Sequence, residues 1–371
     1  MVARVLVIGG YGNFGSRIAS SLAADDAVQV LVGGRSAEAA AAFAASLPAA
    51  HPPEAHAVDI DAGLADALAR IGPDIIVHAA GPFQRQDHRV ARACIAAGCH
   101  YVDIADARDF VAGIDALDAA AGAQGVLVVS GASSVPCLTA AVIDHYLPGF
   151  RRLDTIDCGI SAAQQTNRGL ATTEAVLGYA GRPFTRLEDG VPTTVHGWQQ
   201  TSLLRYPELG YRLFGVCDVP DLALFPARYP NLRDHRFAAG HEIAVLHLGT
   251  WVLGWLVRLG LVGAADRHAA RLLRLAARLD RFGTGRSGLH VFLSGEGFDG
   301  SKREKRFFLV ARSGHGPYIP CAPAIILTRR LARGQIERRG AMPCLDLVRL
   351  EDYLEALSGL DIRIHVDPVD A

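Results

Sequence analysis

The residues with the clearest chemical reading lie at the start of the chain. Val5-Leu6-Val7-Ile8 runs straight into Gly9-Gly10-Tyr11-Gly12-Asn13-Phe14-Gly15, and Ser16-Arg17-Ile18-Ala19 then reads as a helix. Glycines at 10, 12 and 15 have G-x-G-x-x-G spacing between a strand and a helix. Gly10 permits a tight turn, Gly12 lets backbone approach a pyrophosphate, and Gly15 lets the helix pack on the strand. Tyr11, Asn13 and Phe14 fill the variable positions of this cradle, and the helix start offers N–H groups to an anion. The alternative is a glycine turn with no ligand. The second strand ends Leu31-Val32-Gly33-Gly34-Arg35-Ser36, where a site selective for a ribose 2′-hydroxyl places Asp or Glu. Arg35 can fork onto a 2′-phosphate beside Gly34, and Ser36 can donate to it, which favours NADP(H) over NAD(H). Alternatively, Arg35 is a solvated charge and Ser36 only caps the next helix.

Further along, Asp59 ends a third strand, where it can accept from an adenine amino group or cap a helix. Ala79, Ala80, Gly81 and Pro82 follow the fourth strand; their small side chains let backbone lie along a nicotinamide ribose, with Pro82-Phe83 as a wall. Hydride transfer also requires one proton to be handled. Asp103, at the C-terminal end of the fifth strand, points to the crevice where open α/β sheets bind ligands, or else caps a helix or pairs with arginine. His315 and Tyr318 sit in a Gly/Pro-rich turn before a helix and are candidates to relay a proton, against purely structural roles. His100, at the start of its strand, reads as structural. Asn167, Thr172 and Thr173 precede a helix at 174–180 and are within reach of a bound ligand, although Thr172 is equally an N-cap. His241 and His247 lie six apart, about 240° round a helix, so they cannot chelate one ion, and no metal site is expected.

The elements that must position these residues follow from pattern. Runs at 5–8, 28–32, 57–60, 75–78, 101–104 and 126–129 read as strands, with helices near 14–24, 37–46, 63–71, 87–97 and 109–121. Near-continuous apolar strands alternating with helices imply a six-stranded, doubly wound parallel sheet covered on both faces, a Rossmann domain over 1–150. Beyond 150, runs at 153–162, 289–296 and 305–312 with an Asp299-Gly300 turn imply antiparallel or mixed pairing. The architecture is therefore α/β followed by α+β. The stretch 241–281 reads as two helices. Its segment 243–262, with Trp251 and Trp255, is long and apolar enough for a buried or dimer-interface helix, a shallow membrane contact or a span.

Composition bounds the function. With 371 residues, half of them hydrophobic, the chain has material for about two domains. Lys+Arg 37 against Asp+Glu 38 gives no general basic field, so no nucleic-acid partner is expected. Lys302 and Lys305 are the sole lysines, which limits lysine-based chemistry. The seven cysteines are scattered and lack CxxC pairing, so a reducing cytoplasm is expected. Met1 leads directly into a strand, without a signal-peptide pattern.

Taken together, GGYGNFG, GGRS, HAAGPF, the run Cys94 to Asp103, Gly131-Ala132-Ser133-Ser134-Val135-Pro136, Gly314 to Pro320 and Arg339 to Cys344 resemble the saccharopine dehydrogenase-like family, specifically its short bacterial members. The resemblance implies NADP binding on the first domain, an inserted mixed-sheet substrate and dimerisation domain over 151–314, and a segment over 315–371 that returns to pack on the Rossmann domain. It also implies hydride transfer at the C–N bond of a small amino-acid or polyamine-like substrate; the apolar second domain separately favours a homodimer. Both lysines lie in what reads as a polar hairpin, so the lysine and histidine pair of lysine-forming dehydrogenases is missing. That motivates one alternative, a noncatalytic NADP(H)-binding scaffold with peripheral membrane association; a carbonyl reductase, which uses the same hydride site, is a second.

Overall fold

The computed structural model describes residues 2–166 and 169–367, so Asn167 lies outside the described residues. Tertiary contacts divide the chain into two compact units, residues 1–138 with 318–356 and residues 139–317 with 357–371.

In the first unit, strands β1 (Ala3–Ile8), β2 (Val28–Gly34), β3 (Glu54–Ala57), β4 (Ile75–His78), β5 (His100–Asp103) and β6 (Leu127–Ser130) alternate with helices α1 (Gly15–Ala23), α2 (Ala37–Ser46), α3 (Leu64–Ile71), α4 (Arg89–Ala97), α5 (Arg108–Ala112) and α6 (Asp118–Ala123). All pairs are parallel, in the order β6-β5-β4-β1-β2-β3. Helices on both faces explain the unbroken apolar runs: Val5, Leu6 and Val7 are all fully buried. The third strand covers 54–57, not the expected 57–60. Val58 still bonds Gly34, but Asp59 Oδ1 accepts from the Asp61 N–H at 2.9 Å and turns the chain. The expected helix 109–121 is broken by a 3-10 turn that starts at Gly113.

The second unit opens with α7 (Thr139–Tyr146). It continues through β7 (Arg152–Ala162), α8 (Leu170–Gly178), β8 (Pro183–Glu188), β9 (Val191–His196), β10 (Ser202–Tyr206), β11 (Gly210–Val216), α9 (Asp221–Arg228) and β12 (Asp234–His241). Then come α10 (Ala244–Arg258), α11 (Ala269–Ala277), β13 (Ser287–Glu296) and β14 (Lys302–Ala311). β7 pairs parallel with β12 and antiparallel with β13, so the sheet is mixed. Asp299-Gly300 turns the β13–β14 hairpin, with Gly300 at φ +80°. The helix begun at Ile243 stops after 15 residues, and Gly260 at φ +72° follows its end. No helix among the described residues is long and apolar enough to cross a membrane. α10 is not a core helix either, since Val245, Leu248, Val252 and Leu259 are exposed.

The chain then adds α12 (Ala322–Ala332), β15 (Gly340–Pro343), α13 (Leu350–Ala356) and β16 (Ile362–Val366). β15 lies parallel beside β6, making the first sheet seven-stranded where six strands were expected. The segment 315–371 does not return as one piece. Residues 318–356 join the first unit, whereas 357–371 cluster with the second, where β16 pairs antiparallel with β14 at the sheet edge.

Leu6 on the central strand β1 is fully buried in the core of the first unit with Ile76, Tyr101 and Val128. Leu6→Ala is expected to cost about 2–5 kcal/mol, read as a lowered urea midpoint with an unchanged slope.

Candidate dinucleotide site

The loop between β1 and α1 is built by close backbone approach. Gly9 and Gly10 N–H both donate to Gly33 O, at 2.9 and 3.0 Å, and the Gly12 N–H donates to Gly9 O at 2.8 Å. The positive φ of +79° falls on Gly9, not on Gly10 where the motif reading put the turn. The conformation forbidden to a side chain is therefore one residue earlier. Gly10 is constrained differently, since a Cβ there would lie 2.8 Å from Val7 O. At Gly15 a Cβ would lie 2.1 Å from Gly9 O, so this glycine admits α1 onto the loop as expected. Gly12 is exposed, and a Cβ there would meet only Gly9 O, at 3.0 Å. α1 starts with no side-chain cap and no acidic residue in its first turn, which suits the helix end to an anion.

The flanking residues gather round this loop. Tyr11 packs its ring on Gly34, where a Cβ would be 2.4 Å from Tyr11 Cε1, and its hydroxyl accepts from the Ser36 N–H at 3.0 Å. Ser36 Oγ accepts from the Ala39 N–H at 3.1 Å and so caps α2. Arg35 is exposed at the end of β2, with no acidic residue at 33–36. Asp59 is exposed too, its carboxylate engaged by Asp61 N–H in the turn after β3. Ala79 N–H donates to Ile8 O at 2.9 Å, and a Cβ at Gly9 would touch Ala80 N at 3.0 Å. The 79–82 segment thus lies directly against the glycine loop, with Gly81 exposed and Pro82 half-buried. Phe83 does not wall a ligand: it is buried, edge-on to His78 at 5.0 Å and near Phe110 at 5.3 Å.

Two supporting residues escaped the sequence reading. Gln86 Nε2 donates to Ala80 O at 2.7 Å and Pro82 O at 3.1 Å, fixing the strand-end segment. Arg17 donates to Asn13 O and, at 2.9 Å, to Asn13 Oδ1, while its guanidinium lies 5.3 Å from the Tyr318 ring centre. Cys321 Sγ contacts Phe14 O at 3.6 Å. A cation two residues after the third glycine was the available signal for Arg17; Gln86 left none.

The candidate proton-handling residues have separate surroundings. Asp103 is fully buried, and its Oδ1 accepts from Ala105 N–H (2.9 Å), Ser130 Oγ (3.1 Å) and Gly131 N–H (2.8 Å). Burial raises its pKa, and these donors oppose the rise. The carboxyl therefore ties β5 to the end of β6 and is not exposed as the base expected from sequence. His78, also fully buried, shares a 3.0 Å hydrogen bond through Nδ1 with Tyr101 Oη, and desolvation lowers its pKa to about 4. Tyr318 belongs to the first unit and is 37% exposed beneath Arg17. His315 belongs to the second, where its Nδ1 accepts from the Asp361 N–H at 2.8 Å, leaving the neutral ring's proton on Nε2. Thr173 Oγ1 donates to Gly169 O at 3.0 Å within α8, and Thr172 lies inside that helix, not at its cap. No cluster of His, Cys, Asp or Glu among the described residues is arranged to hold a metal.

A parallel sheet whose first crossover carries this glycine loop defines the class, a dinucleotide-binding α/β domain. Residues 5–129 match the model of the saccharopine dehydrogenase NADP binding domain, so the chain carries a nicotinamide-nucleotide domain of the saccharopine dehydrogenase type. Among solved structures, the fold is similar to the L-Glu-forming saccharopine dehydrogenase of Saccharomyces cerevisiae in its apo form, at 15% identity and TM-score 0.69, covering 99% of this chain and 100% of that one. It is also similar to an amine dehydrogenase from Mycobacterium smegmatis, at 15% identity and TM-score 0.50, covering 94% and 96%. No curated protein matches the chain.

Two outcomes are expected. Gly15→Ala forces α1 off Gly9 and abolishes nucleotide binding in calorimetry, with a lowered melting temperature. Neutral, buried His78 takes up its proton at about pH 4, whereas an unfolded histidine does so near 6.5. The unfolded state therefore binds more protons in between, and stability falls as pH drops from 6.5 to 4, by up to about 3 kcal/mol from this group. Urea unfolding across that range should show a shallower fall in His78→Gln.

Proposed function

We propose that the chain is an NADP(H)-dependent oxidoreductase that transfers hydride at a C–N bond of a small amino-acid or polyamine-like substrate. The observation that carries the NADP(H) half is the end of β2: Arg35 and Ser36 stand exposed beside the glycine loop, where an NAD site has a carboxylate. Arg35 forks onto the 2′-phosphate and the α2 N-terminus, capped by Ser36, adds its dipole. Tyr11, Asn13 and the backbone of 10–15 hold the pyrophosphate. Asp59 would hold the adenine, and Ala79 to Pro82 the nicotinamide ribose. The C–N half is supported by the domain match and by likeness to folds whose names are those of dehydrogenases acting on amines.

Bound nicotinamide supplies or accepts the hydride. The chain's own part is to orient substrate and move one proton. Tyr318, whose hydroxyl-bearing ring is partly open to solvent with the Arg17 guanidinium 5.3 Å from its centre, is the group we assign to that proton. Asp103 is a positioning residue.

Titration calorimetry with NADPH and NADH tests the reading. NADPH should bind more tightly, and Arg35→Ala should weaken NADPH by about 10- to 100-fold, the worth of a hydrogen bond to a charged group, while leaving NADH within about threefold. Equal affinities that Arg35→Ala does not alter would overturn the phosphate assignment. With NADPH bound, oxidation on adding cyclic imines but not simple ketones separates the C–N reading from a carbonyl reductase.

A further inference from the structure

α10 turns only part of its circumference inward. His247, Thr250 and Gly254 are buried, and Leu253 and Val257 pack with Leu272 of α11 on Leu177, Ala265 and Ala269. The opposite face is open to solvent and wholly apolar. Val245 (70% exposed), Leu248, Val252, Trp255 and Leu259 (64%) recur at steps of three and four, forming one helical stripe, and Leu261 (69%) continues it past the helix end. A water-facing helix carries polar residues there.

The neighbouring helix supplies a row of charge. Arg267, Arg271, Arg274 and Arg278 are all exposed, at i, i+4, i+7 and i+11, so they share one face of α11 and the turn before it. None forms an ion pair with an acid among the described residues. Exposed Leu275 and Phe282 lie on the same segment. Between 244 and 282 the chain has six arginines and two acids, Asp266 and Asp280, in a protein of formal charge −1. Asp280 is engaged by Gln164 Nε2 at 2.7 Å. The aromatic groups are paired with cations: the Arg258 guanidinium sits 4.9 Å from the Trp255 ring and that of Arg281 sits 4.6 Å from Phe282.

We propose that the outer faces of α10 and α11 dock on an anionic lipid bilayer, with α10 in the plane of the interface. An apolar stripe that includes Trp255 on α10 and a row of exposed arginines on α11, two helices sharing one hydrophobic cluster, suit the headgroup boundary, where apolar side chains enter the acyl layer and guanidinium groups meet phosphate. A span is ruled out by length, since 15 residues rise about 22 Å against about 30 Å of hydrocarbon. A second copy of the chain is disfavoured by charge. A two-fold contact sets each patch against its own image, bringing two arginine rows together with no acids to pair them.

The test is sedimentation of the full chain with phosphatidylcholine vesicles, with and without phosphatidylglycerol, alongside tryptophan emission. Trp198 is buried, so an emission change reports on Trp251 and Trp255. We expect binding and a blue shift with phosphatidylglycerol vesicles only, both suppressed by salt. Val252→Asp and, separately, Leu259→Glu should abolish binding. Combined Arg271→Gln, Arg274→Gln and Arg278→Gln should weaken it by about fivefold per arginine removed. Unchanged circular dichroism melting shows that each variant is folded. No binding to either vesicle, or equal binding to both, overturns the proposal. A dimer in gel filtration that Val252→Asp makes monomeric overturns it in favour of a second copy. Neither readout depends on nucleotide, so the proposal stands or falls apart from the NADP(H) reading.

Discussion

The contact of Gly15 with the Gly9 carbonyl is the constraint on which the nucleotide site rests. With a Cβ at 2.1 Å from that oxygen, any other residue would lift α1 away from the strand end. The same carbonyl accepts the Gly12 N–H, so one oxygen fixes the helix start and the turn before it. Gly9, held at φ +79°, in turn leans on Ala79 and Ala80, which sets where the fourth strand's loop runs. Tyr11 extends the arrangement sideways, its ring on Gly34 and its hydroxyl on the Ser36 amide. The glycine loop, the end of β2 and the segment after β4 are therefore one assembly, held by backbone contacts and by the side chains of Tyr11 and Gln86.

Beneath that assembly lies a polar core that contributes rigidity. Asp103 gathers three donors from the ends of β5 and β6, while Tyr101 and His78 bond each other a strand away. Buried polar groups are costly unless satisfied; the bonds to Asp103 Oδ1 and His78 Nδ1 tie three adjacent strands, while Asp103 Oδ2 and His78 Nε2 stay buried without a hydrogen bond among the described residues. The second unit has its own counterpart, where Tyr206 Oη bonds His290 Nδ1 at 2.6 Å and Asp157 meets Arg236 at 3.2 Å. Burial lowers the His290 pKa and raises that of Tyr206. In both places burial disfavours the charged imidazole, which suits a structural strut more than a proton donor, although Asp157 opposes this at His290.

Periodicity revealed what it physically encodes. β1, β2 and β4 are buried on both faces and read as apolar runs, and α2 fell at 37–46 as expected because Ser36 is a cap and Ala-rich sequence favours helix. β3 was misplaced because, as an edge strand, it alternates half-buried and exposed residues without an apolar run. β8 to β12 and β16 were missed because mixed pairing brings distant segments together, and short strands such as Val191–His196 carry Pro and Thr where apolar residues would have marked them. At the site, the glycine spacing was legible, yet it misassigned the left-handed residue by one position. Asp103 read as a base because its place at a strand end suited one; the three donors that hold it come from residues up to 28 positions away and leave no local trace.

Arginine supplies nearly every cation in this chain, and it is used in two ways, paired and unpaired. Where the guanidinium fork has carboxylates to meet, it stitches elements together: Arg4 bridges Glu54 at 2.7 Å, Arg333 bridges Asp25 at 2.7 Å and Arg312 bridges Asp361 at 2.7 Å. The pairs of Arg4 and Arg333 are bidentate, and Arg312 sets two donors on one Asp361 oxygen; such forked contacts are the reason to prefer arginine over lysine in structural roles. The row on α11 has no such carboxylates. Four exposed guanidinium groups on one helix face repel one another and weaken that helix in isolation, so the row is a local cost with no return inside the fold. An external anion would remove that cost, and the exposed stripe of Val245, Leu248, Val252 and Leu259 is the reason to look for an anion that comes with an apolar phase. A soluble phosphate meets the first condition alone; a bilayer carrying anionic headgroups meets both.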